Sequence, residues 1–319
     1  MIATSGCGRQ STLDPHSPQA DAIRTLWWWM LVVASIIFLG AIAMLAIGWI
    51  RRREPGLPFF GQDGAMETRL VVIFGMAIPV VVLVALFFVG DVYVIGKTEP
   101  PSPGSTALSV EVTGHQWWWE VHYPGTSAVT ANEIHIPART RVNVIGNTDD
   151  VIHSFWVPQL NRKIDLIPGR NNRVLLYANQ PGVYRGQCAE FCGLQHAHMA
   201  FEVIADPPDR FRTWLTNMGA DAPTPATAAA RAGRQAFMQD QCASCHTIRG
   251  TGAQGQIGPD LTHLGSRTTI AALTLPNTSD YLGRWIRDPQ HYKPGNKMPG
   301  LNLSDQDVGS LVAYLRSLH

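Results

Sequence analysis

Cys188-Ala189-Glu190-Phe191-Cys192-Gly193-Leu194-Gln195-His196-Ala197-His198-Met199 gathers two thiols, an imidazole at His196 and a thioether at Met199 in one short stretch. Thiolate sulfur with imidazole suits copper, and a weak axial Met marks copper electron-transfer sites. A Cys188–Cys192 disulfide is the rival reading in an oxidising compartment. It gives no reason for His196 and Met199 at these offsets. Zinc is a second rival, but it takes four N or S ligands and Met is not among its usual ones. A further ligand is expected from an earlier strand. His153, in Asp149-Asp150-Val151-Ile152-His153-Ser154-Phe155-Trp156, is the candidate, although a lone His at a strand start is more often structural.

Around this stretch the chain reads as short β-patterned runs at 108–112, 118–122, 133–136, 141–145, 154–157, 174–177, 183–185 and 201–204. Pro124-Gly125, Pro168-Gly169 and Pro181-Gly182 punctuate them as turns. Many short strands with such punctuation predict an all-β sandwich or barrel.

Further toward the N-terminus the character changes. Residues 26–50 and 70–90 carry no charge, and a helix crossing the hydrocarbon core needs about 20 apolar residues. Both stretches qualify as spans. Arg51, Arg52 and Arg53 follow the first, whereas the outer flanks hold only Asp21, Arg24, Asp91 and Lys97. The excess of positive charge assigns the 51–69 loop to the cytoplasm and both chain ends to the outside. Trp27, Trp28, Trp29 and Trp49 stand where an aromatic belt is expected. Pro79 is expected to kink the second span or to mark packing against a partner helix. Ser5-Gly6-Cys7 looks like the end of a lipoprotein cleavage site. Two readings of Cys7 stand: a lipid anchor whose true start lies upstream, or a free thiol.

The 319 residues allow about two domains, or more if some are small. Charged residues are 15% of the chain, against about 25% in soluble domains. The net charge of +1 offers no footprint for a nucleic-acid backbone.

Beyond the small-residue linker at 222–230, a helical run with Gly233 and Phe237 leads into Cys242-Ala243-Ser244-Cys245-His246. C-x-x-C-H is the signature of covalent c-type haem attachment, with the His beneath the iron. A thioredoxin-like use of the two thiols lacks its βαβ surroundings. Met298 is the only Met after His246, with His263 and His291 as competing sixth ligands. An axial Met raises the haem potential, which favours Met298. A last helix is expected, N-capped by Ser304 or Asp305, with Leu311, Tyr314, Leu315 and Leu318 on one face.

The spacing C-x-E-x-C-x-x-x-H-x-x-M, with His153-Ser154-Phe155 upstream, resembles subunit II of haem–copper cytochrome c oxidases. Gly114-His115-Gln116-Trp117-Trp118-Trp119 and Asp165-Leu166-Ile167-Pro168-Gly169-Arg170 match that family too. The resemblance spans about residues 20–215. Gly258-Pro259-Asp260-Leu261, the Met298-Pro299-Gly300 loop and the last helix resemble class I cytochromes c. The whole looks like a caa3-type subunit II, a multidomain membrane protein. It would comprise an N-terminal segment (1–20), a transmembrane hairpin (21–97) and an all-β cupredoxin domain of Greek-key type (98–206). A helix and linker (207–229) and an all-α class I cytochrome c domain (230–319) would follow.

The resemblance implies a dinuclear CuA centre. Cys188 and Cys192 would bridge two coppers, His153 and His196 would bind one each, and Met199 and the Glu190 carbonyl would be weak outer ligands. An electron shared over two bridged metals changes each bond little, so reorganisation is small. His198 has no ligand role in the family. Electrons would enter at Trp117, on an exposed surface above the copper, with Trp118 and Trp119 packing; core or interface packing for all three is the bland alternative. The Glu190 carboxylate would touch a Mg²⁺ site, and Glu67 would sit at a proton-channel mouth or be a plain solvated carboxylate. Cys242 and Cys245 would carry haem c.

Quinol-oxidising relatives lack the copper ligands, so cytochrome c is the implied donor. Expected partners are subunit I, with haem a and its haem–copper centre, subunit III, an external cytochrome c and the lipid bilayer. The expected location is the bacterial plasma membrane. The implied role is electron input, through haem c and CuA to subunit I, for O₂ reduction to water coupled to proton translocation. A CuA-bearing subunit of a nitric oxide reductase is one alternative, and a non-catalytic membrane-tethered electron carrier or copper-delivery protein is another.

Overall fold

The computed structural model describes residues 10–53, 64–100, 102 and 104–319. Cys7 and the Glu67 side chain lie outside the described residues. The chain divides into two units, one of residues 19–99 and one that joins residues 100–319 with the segment before 19.

In the first unit, α1 (Pro18–Arg53) overruns both ends of its uncharged stretch. The second span is built from α2 (Gly64–Val72), α3 (Ile78–Val89) and α4 (Gly96–Thr98), joined by π-type turns at Ile73–Ala77 and Gly90–Ile95. Pro79 lies in the first turn of α3. A proline leaves a carbonyl one turn back without its N–H donor. The wider turn before it, closed by Ile78 N–H on Ile73 O, takes up that defect. Ile36, Phe38, Leu45, Val81, Leu83 and Phe87 are all exposed, and none of either apolar window is buried. Both helices are long and apolar enough to cross a membrane.

The second unit begins with two five-stranded sheets. The strands are β1 (Leu108–His115), β2 (Trp118–His122), β3 (Val129–Ala131), β4 (Glu133–Pro137), β5 (Val142–Thr148), β6 (His153–Trp156), β7 (Ile164–Leu166), β8 (Asn172–Leu176), β9 (Gly182–Cys188) and β10 (Ala200–Asp206). One sheet has the order β3-β2-β1-β5-β8 and the other β4-β10-β9-β6-β7. Alternation decides which side chains meet between them. Val110 and Val112 of β1 and Trp119 and Val121 of β2 face Ile134, Ile136, Phe155, Phe201 and Val203 in one core. Of the sandwich strands, β3 and β7, three residues each, are those that pattern reading did not predict. α5 (Pro208–Met218) closes one end, packing Phe211 and Met218 into the same core.

A helical region follows: α6 (Ala228–Gln239), α7 (Cys242–Cys245), α8 (Ser279–Arg287), α9 (Pro289–Tyr292) and α10 (Asp305–Arg316). Ser304 caps α10, its side chain accepting from Asp307 N–H at 3.1 Å. Leu311, Tyr314, Leu315 and Leu318 join Phe237, Leu282 and Ile286 in a second core. The α6–α10 crossing is close because residue 233 has no side chain. A Cβ there would stand 1.9 Å from the Ser310 carbonyl oxygen. Gly233→Ala is therefore expected to cost about 3 kcal/mol, the upper end of over-packing. That corresponds to a Tm lowered by roughly 10 °C or more for a region of this size. A calorimetric Tm equal to wild type would show that the crossing is not this tight.

Candidate functional site

β9 ends at Cys188 and β10 begins at Ala200, so the loop between these paired strands carries the sulfur cluster. Cys188 N–H donates to Met199 O at 3.0 Å and sets the first and last donors of the loop side by side. Ala189 N–H donates to Ser154 O at 2.9 Å, tying the loop to the start of β6, where His153 stands. Cys188 Sγ lies 3.8 Å from Cys192 Sγ and 3.8 Å from His153 Nδ1. Cys192 Sγ lies 3.6 Å from His196 Nδ1 and 3.7 Å from Met199 Sδ. The Glu190 carbonyl oxygen is 3.2 Å from Cys188 Sγ.

These separations favour metal ligation over a disulfide. A disulfide needs about 2.05 Å between sulfurs, and both thiols are free. Two donors bound about 2.0–2.3 Å from one metal at a tetrahedral angle stand roughly 3.3–3.8 Å apart, and the spacings of the thiols, imidazoles and thioether lie in that range. The donor set of two thiols, two imidazoles, a thioether and a carbonyl fits copper. Hydrogen bonding from Cys192 outweighs burial and pulls the Cys188 thiol down, toward the thiolate that metals bind.

Asp150, quoted with His153 but given no role from sequence, orients that ring. His153 Nε2 donates to Asp150 Oδ1 at 2.9 Å, which leaves Nδ1 for the sulfur side. Burial works against ionisation of Asp150, but hydrogen bonds from His153 and from the Gln116 and Val151 N–H groups outweigh it. Its pKa lies below the usual carboxylate value. Gly114 makes room for the same ring, since a Cβ there would stand 2.9 Å from His153 Cδ2. His198 is exposed and bonded to Gln195 Oε1 at 2.8 Å, away from the cluster.

In the helical region Cys242, Cys245, His246 and Met298 line one cavity, whose empty volume is about 1500 Å³ including its open mouth. Phe237, Leu261, Ile286 and Leu311 make its walls apolar. His246 Nδ1 lies 2.8 Å from the Pro259 carbonyl oxygen. A carbonyl only accepts, so Nδ1 carries the hydrogen and Nε2 keeps its lone pair. Burial pushes the His246 pKa down, toward the neutral imidazole that ligation requires. Asn296 Oδ1 accepts from Met298 N–H at 2.8 Å and shapes the Met298 loop. Arg267 lines the cavity with its buried Nε lacking a partner among the described residues, a cation suited to a porphyrin carboxylate. These features fit a covalent haem. His263 is buried elsewhere, Nε2 donating to Ala220 O at 3.0 Å, and neither it nor the exposed His291 lines the cavity.

Trp117 departs from expectation. It is 8% exposed, not open at the surface. The helical region folds over it, so Gln116, Trp117 and Trp118 of the sandwich line the same cavity as Met298. Trp117 Nε1–H donates to the Cys192 carbonyl at 2.9 Å, which links that cavity to the sulfur loop. Trp119 is core, its ring centroid 5.9 Å from that of His153, and Trp118 stacks on His115 at 4.5 Å.

Known proteins match along the whole length. The family of the cytochrome c oxidase subunit II periplasmic domain matches residues 126–205, and the cytochrome c family matches residues 230–319. Cytochrome c oxidase subunit 2 of Alkalihalophilus pseudofirmus is 37% identical over 318 residues, covering 97% of this chain and 90% of that one. The chain belongs to the cytochrome c oxidase subunit II family. The Bacillus sp. strain PS3 subunit 2 is 31% identical over 344 residues, covering 99% and 94%. The solved periplasmic domain of subunit II from Bradyrhizobium japonicum is 29% identical, at a TM-score of 0.36, over 38% of this chain and 96% of that one.

As a subunit II with a cytochrome c domain, the chain is a membrane protein and part of a haem–copper oxidase. Copper in its cupredoxin, haem c in its cytochrome region, and subunit I and cytochrome c as partners follow at that level. The seam between these two regions of the subunit II chain holds side chains that sequence reading passed over: Lys293, Gln195 and Glu133. Lys293 is 3% exposed, and burial pushes its ammonium down to about 7. No local signal singled them out, because their partners lie far away in sequence.

Proposed function

We propose that this chain is the electron-input subunit of a proton-translocating oxidase. It takes electrons from an external cytochrome c and delivers them to subunit I for reduction of O₂ to water. When bound, haem c and dinuclear CuA supply one-electron chemistry. Cys242, Cys245, His246 and Met298, which line one cavity, would hold the haem. Cys188, Cys192, His153, His196, Met199 and the Glu190 carbonyl would hold the coppers. Asp150 keeps His153 in the tautomer that offers Nδ1. The Glu190 carboxylate is assigned to Mg²⁺ at the subunit I interface. The loop after α1 is assigned to the cytoplasm, and both chain ends to the outer face.

The observation that carries this reading is the set of six donor groups, the Cys188 and Cys192 sulfurs and four around them, at metal-ligand spacing. Metal and haem analysis of the purified chain tests it, with an expected yield of two coppers and one covalent haem. Zinc in the first site would overturn it. Oxygen uptake by the complex with subunit I separates an oxidase from a nitric oxide reductase or a tethered carrier.

Trp117 stands between the haem cavity and the Cys192 carbonyl, which supports a role in coupling the two. Trp117→Phe keeps an aromatic ring but loses the indole and its Nε1–H bond. The expected result is copper reduction slowed about tenfold, or about 1.4 kcal/mol on the barrier, with copper content unchanged. Stopped-flow absorbance at the copper band checks it, and a wild-type rate would remove Trp117 from the path.

A further inference from the structure

Where the cytochrome region meets the sandwich, three polar side chains are buried and reach across. Lys293 Nζ donates to the carbonyls of Trp117 at 2.8 Å and His198 at 2.9 Å in the sandwich, and lies 3.4 Å from Ala271 O in its own region. Gln195 Nε2 donates to the Pro294 carbonyl at 2.7 Å. Glu133 Oε1 accepts from Thr268 N–H at 2.9 Å and from Thr268 Oγ1 at 3.1 Å. Lysines are almost never fully buried without partners, because an ammonium removed from water must be compensated. Three carbonyls match the three donors of Lys293. Two of them belong to the other region, so the compensation exists only while the regions are together.

The two cross-seam carbonyls are not arbitrary. His198 precedes Met199, and the Trp117 ring bonds the Cys192 carbonyl. On its own side Lys293 is tied to the Met298 loop, since Asn296 Nδ2 donates to Lys293 O at 2.6 Å and Asn296 Oδ1 accepts from Met298 N–H at 2.8 Å. A continuous run of hydrogen bonds thus joins the two loops that carry thioethers.

We propose that Lys293 is the positioning residue for electron transfer within this chain: its ammonium, held by the Trp117 and His198 carbonyls, seats the cytochrome region over Trp117. This rests on the reading that haem c and CuA occupy the two sites. Seated so, the cytochrome region covers Trp117. A diffusing donor must then deliver its electron to the cytochrome region, not directly to the sandwich.

The test uses the full chain in its complex, comparing Lys293→Met and Lys293→Arg with wild type. Copper and haem content are measured first; if wild type lacks either, the functional reading fails and not the seat. Lys293→Met is expected to raise amide exchange at residues 117–119 and 198–200 at least tenfold. It is expected to slow haem-to-copper transfer after photoinjection at least tenfold, and to let a soluble cytochrome c reduce copper directly. Lys293→Arg, which keeps charge and donors, should restore most of the exchange protection and of the rate. The proposal is overturned if Lys293→Met leaves exchange at wild-type level, or if transfer slows without any rise in exchange.

Discussion

Cys192→Ser is expected to abolish the paired-copper signal while the covalent haem spectrum stays intact. Cys192 is the hub of the cluster. Its sulfur faces Cys188 Sγ at 3.8 Å, His196 Nδ1 at 3.6 Å and Met199 Sδ at 3.7 Å. Serine keeps the size but offers a hard, neutral oxygen where copper favours soft thiolate. On the proposed ligand set, losing this sulfur would loosen the hold on both metals, so copper should fall from about two per chain to one or none. The fold should survive, because the loop is held by its backbone: Gln116 Nε2 and Trp117 Nε1 both donate to the Cys192 carbonyl, at 2.8 and 2.9 Å. Cys192 does not line the cavity that holds Cys242, Cys245, His246 and Met298. Near-infrared absorption and EPR, read beside the haem bands, check the result. An unchanged copper spectrum would count against the whole ligand set.

What could be read from sequence divides by range of interaction. C-x-x-C-H is local chemistry, and alternation along β1 and β10 reports which side of a strand is buried before any partner is known. The sulfur loop is nearly as local, because a single turn between paired strands brings its donors together. β3 and β7 escaped because three residues are too few to show a period. Asp150 stood in plain view beside His153, yet its carboxylate acquires meaning only once the Nε2 bond is seen. Trp117 was misjudged for a different reason. It is covered by residues far along the chain, among them Lys293, 176 positions away, whose Nζ donates to its carbonyl. Periodicity says nothing of such a contact. The same limit hid Glu133, whose partner Thr268 is 135 positions away.

Met298→Leu is expected to lower the haem midpoint potential by on the order of 0.1 V or more, within the range of about 0.8 V that axial ligands span. An axial thioether stabilises the reduced iron and raises the potential. Leucine nearly conserves the volume, a class of change that usually costs under about 1.5 kcal/mol. The cavity walls from Phe237, Leu261 and Leu311 should therefore hold. Among the described residues, His246 is the histidine that lines the cavity. His263 is engaged with Ala220 O at 3.0 Å outside the cavity, and His291 is exposed away from it. Loss of Met298 would thus leave a bound haem without a thioether in its cavity. Copper content should not change, since Met199 and not Met298 belongs to that cluster. The consequence for flow follows from the sign. A haem lowered by about 0.1 V is filled less readily by a given external donor, by roughly 50-fold at about 59 mV per decade. Its onward transfer to copper becomes more downhill. Turnover with soluble cytochrome c should therefore fall, while photoinjected electrons still reach copper. A spectroelectrochemical titration of the haem band reads the shift directly, and a potential equal to wild type would mean that Met298 is not the ligand.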